Sequence, residues 1–247
     1  MRTLSLAIST LALLGLTAAS AVAAPVVFSG EDIMATTSSP HPSSATAASN
    51  FATAAGALGA TSLITFESAP LGSFSNLTVA PGVSINGSDV NSANQTIRNT
   101  SDFPTAPTLD GYNTTPGGAK FVEMIGGTLT FTFAKPIQAF GAYLSGVQDF
   151  TTDTLNFSDG TSQVLDVPEA GTSNSVGALD FLGFTDAGKS ITSVTIDTGS
   201  FAAGWDDIGV DDVRFGPVAN VPEPFTLSLF GAGLAGAAAL RRRKQKA

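Results

Sequence analysis

Phe121-Val122-Glu123-Met124-Ile125-Gly126-Gly127-Thr128-Leu129-Thr130-Phe131-Thr132-Phe133 is the stretch that decides the fold. Successive side chains of a strand point to opposite faces, so Leu129, Phe131 and Phe133 share one face and Thr128, Thr130 and Thr132 the other. An apolar face backed by a hydroxyl face is the pattern of a half-buried antiparallel strand. Gly126-Gly127, between two such runs, predicts a tight hairpin that pairs them.

The same signal repeats outward in both directions. Residues 63–67, 77–79, 83–85, 137–144, 154–158, 163–167, 180–184, 191–197 and 210–215 read as short strands separated by Gly, Asn, Asp and Pro. Lys135-Pro136 is expected to break the run after Phe133, and Asp159-Gly160 predicts a second hairpin. Many short strands with turn chemistry between them predict an all-β fold, an antiparallel β-sandwich of jelly-roll type at residues 63–217. The 17 Phe, mostly at strand positions, supply its core.

Ahead of these strands, residues 24–62 are rich in Ala, Ser and Thr. Phe51, Ala55 and Leu58 recur at helical spacing and Gly59 suits a helix end, which predicts a short helix packed on the domain. A polar linker without fixed structure is the competing reading of the same stretch. Residues 86–120 form a long, Asn-rich loop, a length that in compact domains goes with function or with a plain surface excursion.

The two ends read as targeting segments. Arg2, an apolar run over 4–16 and the small residues Ala21-Val22-Ala23 make residues 1–23 a secretory signal peptide, cut by signal peptidase after Ala23. Residues 225–240 are uncharged and are followed by Arg241-Arg242-Arg243-Lys244. Sixteen residues make a helix of about 24 Å, short against a bilayer core of about 30 Å, so a C-terminal transmembrane helix in the precursor is expected to insert transiently. The basic tail, 241–247, stays on the cytoplasmic side.

Six of the 11 Lys and Arg and one of the 20 Asp and Glu lie in these ends, which leaves five cations against nineteen acids, net −14 compared with −9 for the whole chain. Such a surface excludes nucleic acid as a partner and disfavours anionic membrane. There is no cysteine, which rules out thiol catalysis, disulfides and cysteine-ligated metals.

Val221-Pro222-Glu223-Pro224, the apolar run and the basic stop, in that order, resemble the PEP-CTERM sorting signal of bacterial exported proteins, here spanning 218–247. The resemblance implies that Val221, Pro222, Glu223 and Pro224 are a recognition motif for an exosortase-like processing enzyme. It also implies export through the inner membrane to the cell surface or exterior, in bacteria that make exopolysaccharide or biofilm matrix. The body resembles domains found ahead of this signal, through Ile64-Thr65-Phe66-Glu67, residues 127–133 with 136–141, Phe157-Ser158-Asp159-Gly160 and residues 208–213. That resemblance implies a lectin-like or galactose-binding-like sandwich.

Catalysis finds little support in the residues. The one histidine, His41, sits between two prolines with no evident partner and reads as solvent-exposed. No phosphate-binding glycine loop is present. Asp206-Asp207-Ile208-Gly209-Val210-Asp211-Asp212 is the densest acidic stretch. Calcium takes six to eight oxygen ligands, so a structural calcium site built from Glu67, Asp207 and Asp211 or Asp212 is one reading and a solvated acidic turn is the other. In a regular strand, Asp211 and Asp212 would point to opposite faces. Glycan recognition calls for an aromatic platform beside amides and carboxylates, for which Trp205 with Asp206, and Tyr112 with Asn113, are the candidates. Trp205 packed at the sandwich edge is the alternative. The sequence therefore predicts a non-enzymatic exported surface or extracellular-matrix protein associated with polysaccharide. A secreted carbohydrate-active hydrolase and a structural, protein-binding matrix component are the alternatives.

Overall fold

The computed structural model describes residues 25–100, 111–148, 152–157, 161–166, 177–187, 189–200, 202 and 204–217. The expected signal peptide at 1–23, the Asp159-Gly160 turn, the sorting motif and the apolar run at 225–240 lie outside the described residues. Among those described, no helix is long and apolar enough to cross a membrane.

The elements in chain order are β1 (Val26–Ile33), α1 (Pro42–Leu58), β2 (Ser62–Ile64), β3 (Gly72–Ser73), β4 (Leu77–Ala80), β5 (Val83–Ser88), β6 (Thr96–Arg98), β7 (Phe121–Ile125) and β8 (Thr128–Ile137). There follow β9 (Ala139–Val147), β10 (Thr152–Phe157), β11 (Ser162–Asp166), β12 (Ala178–Thr185), β13 (Ile191–Asp197), β14 (Gly199–Ser200), β15 (Gly204–Trp205) and β16 (Asp207–Phe215). One sheet runs β1-β12-β9-β16-β7-β6-β3, with β2 also on β16; the other runs β11-β10-β13-β8-β5-β4. Within them, β7-β16-β9-β12 faces β8-β13-β10-β11. Consecutive strands interleave between and within the two sheets in the order that defines a jelly roll.

Leu129, Phe131 and Phe133 enter one core with Val122, Met124, Phe140, Leu144, Leu182, Phe184 and Val210 from the opposite sheet, as the alternation predicts. The hairpin at Gly126-Gly127 does not form. β7 pairs with β6 and β16, and β8 with β5 and β13, so the two glycines carry the chain from one sheet to the other. Both have positive φ, 59° and 73°, as a tight hairpin turn would. Their amides, however, donate to the carbonyls of Asp206, just before β16, and Gly199 of β14 instead of across a hairpin. The second predicted hairpin does form: β10 pairs with β11 in unbroken register.

Lys135-Pro136 does not end β8. Pro136 falls in the register shift between Thr132↔Ser193 and Ile137↔Ile191, where a missing N–H leaves no ladder bond unmade. β2 is shorter than residues 63–67, because Phe66 takes a left-handed φ of 55° and turns the chain before Glu67.

The stretch at 24–62 is integral to the fold. β1 pairs with β12 along eight residues and forms the edge of the sheet. α1 packs on the outer face of that sheet over β1, β12 and β9, so β12 is buried on both sides. The helix is held by Phe51, which is fully buried against Phe181 and seats over Gly141 and Gly183, a directly opposed pair. A Cβ on either glycine would stand 2.8–2.9 Å from the Phe51 ring. Leu58, expected beside Phe51 as an anchor, is only half-buried, and Ala47 and Ala55 line the contact instead. The helix N-terminus is capped from β1: the amides of Ser43 and Ser44 donate to Asp32 at 3.1 and 2.8 Å. Burial pushes the Asp32 carboxyl up, but these bonds outweigh it and hold it below its ordinary value.

Candidate functional site

β16 presents Gly209 and Asp211 to the outer face of its sheet, while Ile208, Val210 and Val213 enter the core. Strict alternation would send Asp212 inward, away from Asp211. It does not, because the register of β16 on β9 shifts between Asp211 and Arg214 and Asp212 adopts a left-handed φ of 47°. This bulge turns both carboxylates toward the segment 112–119.

Asp211 is the anchor of that segment. Its Oδ2 accepts from Asn113 Nδ2 (3.0 Å), Thr114 N (2.8 Å) and Thr115 N (3.0 Å). The hydroxyls of Thr114 and Thr115 lie between the two acids, donating to Asp212 Oδ2 at 3.0 Å and Oδ1 at 2.8 Å. Glu67 holds the other end: its Oε1 accepts from Asn113 Nδ2, Ala119 N and Lys120 N at 3.1, 2.8 and 2.8 Å. Ser145, fully buried on β9, accepts from the Tyr112 amide and donates to the Tyr112 carbonyl, both at 2.8 Å. Burial, and then the charge of Asp212, push the Asp211 carboxyl up to about 7, against the pull of the Thr114, Asp212 and Thr115 amides.

The pinned segment walls a cavity of about 790 Å³ on the outer face of the sheet. Its floor is Phe121, Tyr143 and Leu179, from β7, β9 and β12, with Asp212 of β16 at the edge. One wall is Tyr112–Ala119; the other is Thr36–Ser39, His41 and Ala45, and Asn99 and Thr100 complete the rim. Tyr143 is half-buried and meets Phe181 edge-to-face. The buried hydroxyl of Tyr112 has no hydrogen-bond partner, and burial, then Asp32 and Asp180, raise its pKa, so it stays a neutral phenol. His41 is not the exposed, partnerless residue expected: it is half-buried, with Nε2 at 2.8 Å from the Thr36 carbonyl and 3.2 Å from Ser39 Oγ.

The sequence-derived sites divide. Glu67, Asp211 and Asp212 converge on one segment, but Asp207 lies at the start of β16, opposite Ile125. Four residues of strand put it about 13 Å from Asp211. One oxygen of each, Glu67 Oε1 and Asp211 Oδ2, is taken up by N–H donors of the 113–120 segment, while Asp211 Oδ1 is buried without a hydrogen-bond partner. Among the described residues no group of three or more His, Cys, Asp or Glu is placed to hold a metal. Of the glycan candidates, Tyr112 and Asn113 line the cavity. Trp205 and Asp206 lie at the Gly126-Gly127 crossing, where Asp206 is buried and accepts from Gln148 N at 2.6 Å. Thr36, Ser38, Ser39 and Thr115 carry no site signal of their own in the sequence; the turn-rich Asn113-Thr114-Thr115-Pro116-Gly117 is the one available signal.

No curated protein matches the chain in sequence. Among solved structures, the K1 cleaved adhesin domain of Lys-gingipain from Porphyromonas gingivalis W83 is similar over 66% of this chain and 99% of its own, at 13% identity and TM-score 0.36. The enzymatically active domain of tailspike protein 4 of bacteriophage CBA120 is similar over 54% and 19%, at 15% identity and TM-score 0.29. A carbohydrate-binding module of the β-sandwich superfamily is similar over 54% and 58%, at 12% identity and TM-score 0.18. Scores this low carry no functional inference. The PEP-CTERM protein-sorting motif matches residues 220–244, where Val221-Pro222-Glu223-Pro224, the uncharged run and the basic stop stand in sequence. The chain therefore carries a PEP-CTERM sorting motif behind an antiparallel β-sandwich, which implies an exported protein handled by an exosortase-like enzyme and placed at the cell surface or outside it.

Proposed function

We propose that the protein is a non-catalytic glycan-binding component of the bacterial surface or extracellular matrix, and that it holds exopolysaccharide in the cavity on the outer face of the β16 sheet. The observation that carries this reading is the composition of that cavity. Hydroxyls and amides from Thr36, Ser38, Asn99, Asn113 and Thr115 stand around an aromatic floor that includes Tyr143. A concave site with an apolar base and convergent donors and acceptors is what a saccharide ring requires, since it offers an apolar face and a rim of hydroxyls.

The hydrolase alternative has one point in its favour, the raised pKa of Asp211, which resembles that of a general acid. Asp211 is fully buried, however, is absent from the cavity lining, and spends its Oδ2 on the 113–115 segment. Among the described residues, Asp212 is the one carboxylate that reaches the cavity, and glycoside hydrolysis uses two.

The test is retention of the full-length chain, in a non-glycosidic detergent, on the producer's own exopolysaccharide, first with calcium and then with chelator. Retention in both conditions, lost in Tyr143→Ala, is expected. Trp205 fluorescence should not change on binding, since Trp205 lies outside the cavity. No retention in either condition refutes the glycan reading and leaves a structural, protein-binding role.

A further inference from the structure

We propose that the glycan taken by this cavity is an amino sugar polymer with free ammonium groups, and that Asp212 is the residue that selects it. The inference rests on the cavity being a glycan site and specifies which chemistry it accepts. Among the described residues, the lining contains one carboxylate, Asp212, and no Lys or Arg. The cations nearest in sequence to the walls are engaged elsewhere: Arg98 pairs with Glu123 at 2.8 Å, and Lys120 Nζ donates to the Ala69 carbonyl at 2.7 Å. A uronic acid or sulfated chain would therefore meet a negative charge with nothing to offset it, and a neutral chain would leave that charge unused.

Asp212 is held for such a task. Its backbone sits at a φ of 47°, a conformation that non-glycine residues seldom adopt and that tends to persist where a side chain must be aimed. Thr115 Oγ1 donates to its Oδ1 and Thr114 Oγ1 to its Oδ2. Each carboxylate oxygen accepts two bonds, so one position on each stays open, and an ammonium brings three donors. Tyr143 lines the same cavity near Asp212: burial, and then the Asp212 charge, raise its pKa. An aromatic ring beside a carboxylate is the pairing that stabilises an organic ammonium.

The experiment compares short oligomers of glucosamine, N-acetylglucosamine and galacturonic acid by calorimetry on the full-length chain in a non-glycosidic detergent. The glucosamine oligomer should bind about tenfold more tightly than its acetylated counterpart, the galacturonic acid oligomer more weakly than either, and the advantage should shrink as salt is raised to about 0.5 M. In Asp212→Asn the ratio should collapse toward one; Asn tolerates left-handed backbone well, so this variant keeps the bulge. Should that variant fail to fold, the salt titration of the unaltered chain decides. Equal affinity for the free and acetylated oligomers, or a preference for galacturonic acid, overturns the proposal while the glycan reading stands. Binding of none of the three, together with no retention on exopolysaccharide, overturns both.

Discussion

Replacing Asp211 by Asn should remove a specific pH dependence of folding stability. In the folded chain, burial and the adjacent Asp212 push the Asp211 carboxyl up to about 7. In the unfolded chain it returns to about 3.9. Between these values the folded state holds a proton that the unfolded state has released, so stability falls as pH rises through the window and is flat above and below it. A gap of about three pH units at roughly 1.4 kcal/mol each gives a ceiling of about 4 kcal/mol, and relaxation around a buried charge makes about 2–4 kcal/mol the working range. Asn keeps an oxygen for the Thr114 and Thr115 amides and carries no charge at any pH. Urea unfolding of both proteins at about pH 4 and pH 8 reads the effect: the stability difference, variant minus unaltered chain, should move toward the variant by about 2–4 kcal/mol at the higher pH. Asp180, buried opposite Glu31 and pushed up to about 8 by burial and then by Glu31 and Asp32, adds a slope of the same sign, but to both proteins. Parallel pH profiles would refute the placement of Asp211 as a buried carboxyl that is neutral over most of this range.

Gly209→Ala would place a Cβ 2.6 Å from Ser145 Oγ and 2.8 Å from the Tyr112 amide, so the 112–119 wall must move. A loss of about 1–3 kcal/mol in thermal or urea unfolding is expected, with weaker exopolysaccharide retention. Phe51→Ala empties the seat over Gly141 and Gly183 and should cost about 3–5 kcal/mol, with early proteolytic cutting inside α1. Substituting Ala for Pro222, Glu223 and Pro224 should leave the full-length chain in the membrane fraction, where immunoblotting of cell fractions would show the unprocessed form.

What could be read from the sequence was what repeats locally. The Thr128–Phe133 alternation, the pairing of β10 with β11 and Phe51 with Ala55 at helical spacing each depend on neighbours within a few residues, and each stands in the structure. What could not be read depends on distant partners. Gly126-Gly127 has the chemistry of a hairpin, but N–H hydrogen bonds to the carbonyls of Asp206 and Gly199, more than 70 positions away, make it a crossing between sheets. Asp211 and Asp212 obey alternation only in a regular strand, and the bulge that overrides it is fixed by contacts to Thr114 and Thr115, 96–98 residues earlier. The Thr36–His41 stretch reads as low complexity and becomes a cavity wall once β1 and α1 bracket it against the sheet.

The geometry also separates the two halves of the protein's task. Among the described residues, every one that lines the cavity, from Thr36 to Asp212, precedes the sorting motif at 220–244. The last of them lies on β16, whose final three residues pair with β2 and whose Gly209 and Val210 pair with β9. A cut at Val221–Pro224 leaves that strand and the strands it pairs with in one piece, so processing can change where the domain resides without dividing the cavity. A cavity assembled from residues on both sides of the motif would be destroyed by the same cut, and the described lining residues, all before it, avoid that conflict.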